Sequence, residues 1–184
     1  TEKRMFRSTE GVNTQKGLIF LMGLICASAG RVLKKGKAMS AAEISGEIMS
    51  LTAGICSREL EVLRNGHDSK VLTKGEEIYL RFGVRGIRGE VEDGLPTVIR
   101  YGLPELRESL SRGADLNDSM VNCLLKIMSV SEDTNVINRS SYEVLKTVVQ
   151  PMALDALEKG GMFTLEGRNS VFAMDDCFVS QNIN

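Results

Sequence analysis

Three segments fit the grammar of a helix start, a Ser or Thr followed three residues later by Glu: SAAE from Ser40, TKGE from Thr73 and SSYE from Ser140. Such pairs mark helix starts, because the hydroxyl accepts a hydrogen bond from a free backbone N–H while the Glu carboxylate caps back. Apolar residues follow at helical spacing, Ile44, Ile48, Leu51 and Ile55 after Ser40, and Val144, Leu145, Val148 and Val149 after Ser140. Each set marks a buried stripe. Pro151 is expected to kink the helix after Ser140 or to begin a new turn, and Gly160 with Gly161 to end the helical segment beyond it. Further helices are predicted near 16–34, 104–112, 117–130 and 165–179, the second of them opened by Pro104. No run shows convincing strand alternation. The expected fold class is all-α, a single compact multi-helix domain over residues 1–184 with polar motif loops between the helices.

The bulk numbers narrow the function classes. A chain of 184 residues buries enough surface for a real core without staples. Aromatic residues make up 5% and there is no Trp, which leaves little material for base-stacking platforms. A net charge of -1 argues against a general nucleic-acid or anionic-membrane binder. Cys26, Cys56, Cys123 and Cys177 form no CxxC pair and are read as reduced, mostly buried thiols of a cytoplasmic protein. The only histidine, His67, has no Cys at ligand spacing, so no zinc site is expected.

The apolar run LIFLMGLICASAG, from Leu18 to Gly30, is shorter than the roughly 20 residues of a membrane span. Its small residues Gly23, Ala27, Ser28, Ala29 and Gly30 suit the close approach of another helix. The opening TEKRMF reads like the interior of a helix, and the chain stops at Asn184 just after an apparent helix. A fragment of a longer protein is therefore expected.

Three polar runs are candidates for chemistry. In EGVNTQKG, glycines bracket Asn13, Thr14 and Lys16 just before the small-residue helix, where free N–H groups and the helix dipole suit an anion. It is not a Walker sequence, and ordinary helix capping is the competing reading. In GVRGIRGEVEDG, Arg85 and Arg88 offer planar forks to phosphate oxygens, and Gly83, Gly86 and Gly89 allow close backbone approach. Glu90, Glu92 and Asp93 suit a divalent cation or action on a reacting sugar. The competing reading is a solvated loop whose charges pair with one another. In SEDTNVINR, Asp133, Thr134 and Asn135 suit either a capping turn or the binding of a hydroxyl, metal or ribose, with Arg139 nearby for phosphate. His67, the basic cluster RVLKKGK and the nine methionines are read as a turn residue, a solvated helix end and core filler.

Taken in order, GVNTQKGLIFLMGLICASAG, GVRGIRGEVEDGLPTVIRYGLPELR and DTNVINR closely resemble triphosphoribosyl-dephospho-CoA synthase, over nearly the whole chain. The family pattern is a GxNTHKG segment opening a small-residue helix, an RGxRGE segment running into a Gly-aromatic-or-Leu-Pro turn, and a DTNxxxR segment. The resemblance implies an all-α fold and a pentosyl transferase. The ribose C1 of ATP would be attacked by the 2′-hydroxyl of 3′-dephospho-CoA, releasing adenine. The product would be the precursor of the prosthetic group of the acyl carrier subunit of citrate lyase or malonate decarboxylase.

On that reading Asn13, Thr14, Lys16, Gly17, Arg85, Arg88, Gly89, Asn135 and Arg139 bind substrate, with Mg²⁺ expected beside the triphosphate. Glu90 and Asp133 are the expected catalytic or metal-binding carboxylates, and no organic cofactor is expected. A carboxylate near C1 would stabilise the positive charge that builds on the ribose, and one could take the hydroxyl proton. The chain also departs from the pattern. Gln15 and Asn138 stand where His is usual, and Ser140 and Ser141 replace a frequent Gly pair. The family segments containing TPKPGLVD, GAHxDM and SPGGSADLLA have no counterpart within Thr1 to Asn184. A non-catalytic helical nucleotide-binding or interaction module, and a nucleoside triphosphate phosphohydrolase, stay open as alternatives. So does a homo-oligomer in which a partner segment completes the site.

Overall fold

The computed structural model describes residues 2–8, 16–66 and 71–183, and among them every regular element is a helix. In chain order these are α1 (Glu2–Ser8), α2 (Lys16–Lys34), α3 (Ala41–Thr52), α4 (Ile55–Glu59), α5 (Lys74–Phe82), α6 (Gly86–Glu92), α7 (Leu103–Ser111), α8 (Leu116–Val130), α9 (Thr134–Arg139), α10 (Tyr142–Val144), α11 (Gln150–Glu158) and α12 (Leu165–Ser180). The chain divides into two compact units, one of residues 1–59 with 87–95, the other of residues 60–86 with 96–184.

In the first unit α2 packs on α3, which starts where Ser40 Oγ accepts the Glu43 N–H at 3.2 Å. Val32 of α2, Ile48 of α3, Cys56 of α4 and Val91 of α6 are buried. Glu47 of α3 is buried too, and it accepts from Arg31 Nε at 2.7 Å and from the Lys35 ammonium. These two cations hold its carboxyl below the usual range, the Lys35 hydrogen bond contributing most and the Arg31 bond next.

α6 is fastened to α3 through its own carbonyls. The Thr52 hydroxyl lies 3.0 Å from the Val91 oxygen, and Ser45 Oγ donates to the Gly94 oxygen at 2.6 Å. At Gly94 φ is +76°, and a Cβ would lie 2.6 Å from Ser45 Oγ and 2.8 Å from Met49 Cγ, so only glycine fits. Leu95 follows in the same left-handed region, at φ +62°, with its side chain buried.

In the second unit α5 begins with a full capping box. The Glu76 N–H donates to Thr73 Oγ1 and the Thr73 N–H to Glu76 Oε2, at 3.4 and 2.7 Å. The core gathers Ile78, Val84, Leu125, Ile137, Leu145, Val149, Ala153, Ala156, Met174 and Phe178. α7 packs on α8, α8 on α11 and α11 on α12.

Pro151 lies in the first turn of α11, the new turn that the sequence leads one to expect there. A π turn over Leu145–Val149 precedes it, Gln150 donates to Leu145 O, and the backbone stays right-handed through Val149 and Gln150. The wider turn accommodates a residue that has no N–H and whose ring crowds the preceding carbonyls. Pro104 is served in the same way by the π turn Thr97–Gly102, so α7–α8 and α11–α12 are hairpins of similar construction, a likeness the residues themselves do not show.

The cap expected at Ser140 moves by one residue. Ser140 closes α9, donating its N–H to Val136 O at 2.9 Å, and Ser141 Oγ accepts from Val144 N at 3.0 Å instead. Asn122 of α8 ties the hairpins together from a buried position, donating to Ser109 Oγ at 3.1 Å and accepting the Met162 N–H at 2.8 Å.

Candidate functional site

The DTNVINR run folds as α9, with Asp133 as its N-cap. Asp133 Oδ1 accepts from the N–H groups of Asn135 and Val136, at 2.7 and 3.3 Å. Ile137 is buried in the core of the second unit, which orients the short helix. Asn135 and Arg139, spaced to share a helix face, are both exposed, as is Asn138. Just beyond, the Phe82 and Tyr142 rings stack at 4.9 Å, and the Tyr142 hydroxyl donates to Glu132 at 3.4 Å, next in sequence to Asp133.

The RGxRGE run is where the structure departs most from a polar loop, since Gly86–Glu92 is helical. Its periodicity is carried by Ile87, Val91 and Leu95, four residues apart. Val84 is buried in the same core as Ile137, and Gly86 lies so close to α9 that a Cβ there would sit 3.2 Å from Thr134 Cγ2. The exposed Arg85 is thus carried between two positions packed against the α9 segment. The second unit in this way holds the backbone next to Arg85 against Thr134, at the start of α9.

Arg88, Gly89 and Glu90 belong to the first unit. Gly89 is buried and Glu90 half-buried. Arg88 donates from Nε to Glu59 Oε2 at 2.6 Å, which holds the guanidinium at the end of α4. Glu59 is a residue that sequence reasoning missed. It lies in CSREL, a run with no motif character, and its link to Arg88 crosses 29 positions.

Of the GVNTQKG run, Asn13 and Thr14 lie outside the described residues, as does Gln15. Lys16 opens α2, and Gly17 is exposed with nothing within 4 Å of a built Cβ. His67 also lies outside the described residues.

A separate cleft of about 270 Å³ in the second unit is lined by Glu105, Arg112, Asn122, Lys126, Glu158 and Phe163 among others. Arg112 stacks over the Phe163 ring there, 3.7 Å from its centroid. None of the candidate catalytic or substrate-binding residues lines this cleft, so it is set apart from the candidate site.

No group of three or more acidic, His or Cys side chains with metal-holding geometry occurs among the described residues.

Comparison with known proteins bears directly on these segments. The family model described as ATP:dephospho-CoA triphosphoribosyl transferase matches residues 1–184. A protein of Malonomonas rubra named as a probable 2-(5″-triphosphoribosyl)-3′-dephosphocoenzyme-A synthase is 36% identical over 185 residues, covering 100% of this chain and 57% of the relative. A protein of the same name from Citrobacter koseri is 34% identical over 183 residues, covering 100% of this chain and 59% of the relative. The chain thus spans somewhat over half the length of these relatives. No solved structure gives a significant match. With its motif runs in order and the family model matched over residues 1–184, the chain belongs to the ATP:dephospho-CoA triphosphoribosyl transferase family.

Proposed function

We propose that the protein transfers the triphosphoribosyl group of ATP to the 2′-hydroxyl of 3′-dephospho-CoA. The bond between ribose C1 and the adenine nitrogen breaks, its electron pair leaves with adenine, and a new bond forms from C1 to the attacking oxygen. The hydroxyl proton passes to a carboxylate, and the released base takes up a proton. The observation that carries this reading is the family match over residues 1–184.

The residue types suit the task. Lys16, Arg85, Arg88 and Arg139 supply positive charge for the triphosphate, with Mg²⁺ as the expected accompanying cation. Asn13, Thr14, Gly17, Gly89 and Asn135 supply hydrogen bonds or close backbone approach. Glu90 and Asp133 are the carboxylates proposed to stabilise the oxocarbenium-like ribose, to accept the hydroxyl proton, or to hold the metal.

The product is proposed to serve as precursor of the prosthetic group of the acyl carrier subunit of citrate lyase or malonate decarboxylase. The proposed setting is the cytoplasm, in keeping with the four free cysteines.

Chromatography of a reaction containing ATP, 3′-dephospho-CoA and Mg²⁺ tests the reading. Free adenine that appears only when both substrates are present supports it. Inorganic phosphate in place of adenine would indicate a phosphohydrolase, and binding without either product a non-catalytic module.

A further inference from the structure

Among the described helices α2 has a long apolar surface that is largely exposed. Over Gly17–Lys34 the mean hydropathy is 1.6, enough by length and composition to cross a membrane, yet only 11% of that stretch is buried. One side faces α3 through the buried Ser28 and Val32. The other carries Leu18 (54% exposed), Met22 (49%), the exposed Cys26 and Leu33 (65%). With Ala29, these positions are spaced by four, four, three and four residues, the interval of a helix-packing seam. Beside them run Gly23, Ala27 and Gly30, and a Cβ built at Gly23 or Gly30 meets nothing within 4 Å. No charge interrupts the stretch from Gly17 to Gly30. A helix apolar on all sides is the signature of a core element rather than of a surface one.

The relatives indicate what supplies the cover. These 184 residues account for 57% and 59% of two relatives' lengths, so roughly two-fifths of a family-length protein lies outside them. We propose that the Leu18–Met22–Cys26–Leu33 face of α2 is a buried packing seam, covered by an apolar helix from that remaining part of the family-length protein. The Gly23 and Gly30 positions let the incoming helix approach to backbone contact. Family membership supports this inference, and it does not depend on which reaction the protein catalyses.

Cys26 is a probe at the centre of the seam. Its alkylation by a maleimide, followed peptide by peptide in a mass spectrometer, is compared between residues 1–184 and the same chain continued by the flanking family regions. The expected result is fast labelling in the short form and labelling at least about tenfold slower in the long form, as for a thiol that reacts only on local opening. Gly30→Leu, which meets open space in the short form, should leave the folding of that form unchanged and restore fast Cys26 labelling in the long one. Equal labelling of both forms would overturn the proposal. So would protection of the short form that rises with protein concentration together with a dimer mass, which would make the cover a second copy. Protection appearing only with phosphatidylglycerol vesicles would overturn it in favour of a membrane surface. Thiol reactivity is the readout throughout, so a failure here is distinct from a failure to release adenine.

Discussion

Arg88 donates from Nε to the Glu59 carboxylate at 2.6 Å, so one of the guanidinium's five N–H donors is engaged in holding it to α4. The pair is half-exposed, with Arg88 at 26% and Glu59 at 49% side-chain exposure, and as a stabilising ion pair it contributes little. Under the proposed function its role is to orient Arg88 toward the triphosphate. Glu59→Ala should raise the KM for ATP by about tenfold with kcat nearly unchanged, and Arg88→Ala should do more. In the double variant the Glu59 change should add almost nothing, since its effect runs through Arg88. Steady-state kinetics on the four proteins decides this, and additive losses would show that Glu59 does not act through Arg88.

The two carboxylate roles separate by choice of substitution. Asn is as good an N-cap as Asp, so Asp133→Asn keeps α9 capped while removing the charge, whereas Asp133→Ala costs about 1 kcal/mol of stability. If the charge at Asp133 serves the reaction, both variants lose turnover but only the Ala variant unfolds earlier in urea. Glu90→Gln should lower kcat by about a hundredfold or more, with its urea midpoint little moved. Unchanged turnover in Asp133→Asn would leave that residue as a cap alone, and unchanged turnover in Glu90→Gln would remove Glu90 from the mechanism.

Gly94 and Gly23 test the packing of the first unit from opposite sides. Gly94→Ala forces a side chain into a left-handed position against Ser45 and Met49 and should destabilise by about 2 kcal/mol or more. Gly23→Ala adds a methyl in open space within α2 and should stabilise by about 0.5–1 kcal/mol. Denaturant unfolding of both variants measures the contrast. A neutral Gly94→Ala would contradict the fastening of α6 on α3.

The helical grammar of this chain was legible in its residues, and the features that escaped it did so for physical causes. The stretch 16–34 reads as one helix and forms Lys16–Lys34, and the caps at Ser40 and Thr73 act as their spacing requires. Gly86–Glu92 reads as a loop because Gly83, Gly86 and Gly89 and the charges between them dominate the run. The three-membered stripe Ile87, Val91 and Leu95 is too short to outweigh them, although Val91 and Leu95 are buried in the fold. Glu59 could not be found, since its role exists only through a contact distant in sequence. Asp133 could be read as either cap or catalyst, and the fold uses its Oδ1 for the cap.

Acid stability should report on Glu47. Its carboxyl is held below the ordinary value, first by the Lys35 hydrogen bond and then by Arg31. A carboxyl depressed in the folded state contributes its full stabilisation above the ordinary carboxylate value of about 4.3, and loses it as pH falls through the lower folded value. Urea midpoints of the wild-type chain should therefore drop below about pH 4.3 more steeply than those of Glu47→Gln, which starts lower and lacks this component. Parallel pH profiles would show that the two cations do not favour the charged form of Glu47.

Tracing the ribose tests the central claim most directly. ATP carrying a heavy-carbon ribose and an unlabelled base is incubated with 3′-dephospho-CoA and Mg²⁺, and the products are weighed by mass spectrometry. Triphosphoribosyl transfer predicts that every labelled carbon moves into the dephospho-CoA product, together with three phosphates, while the adenine released is unlabelled. Label that stays joined to adenine, as ADP or intact ATP, would contradict it.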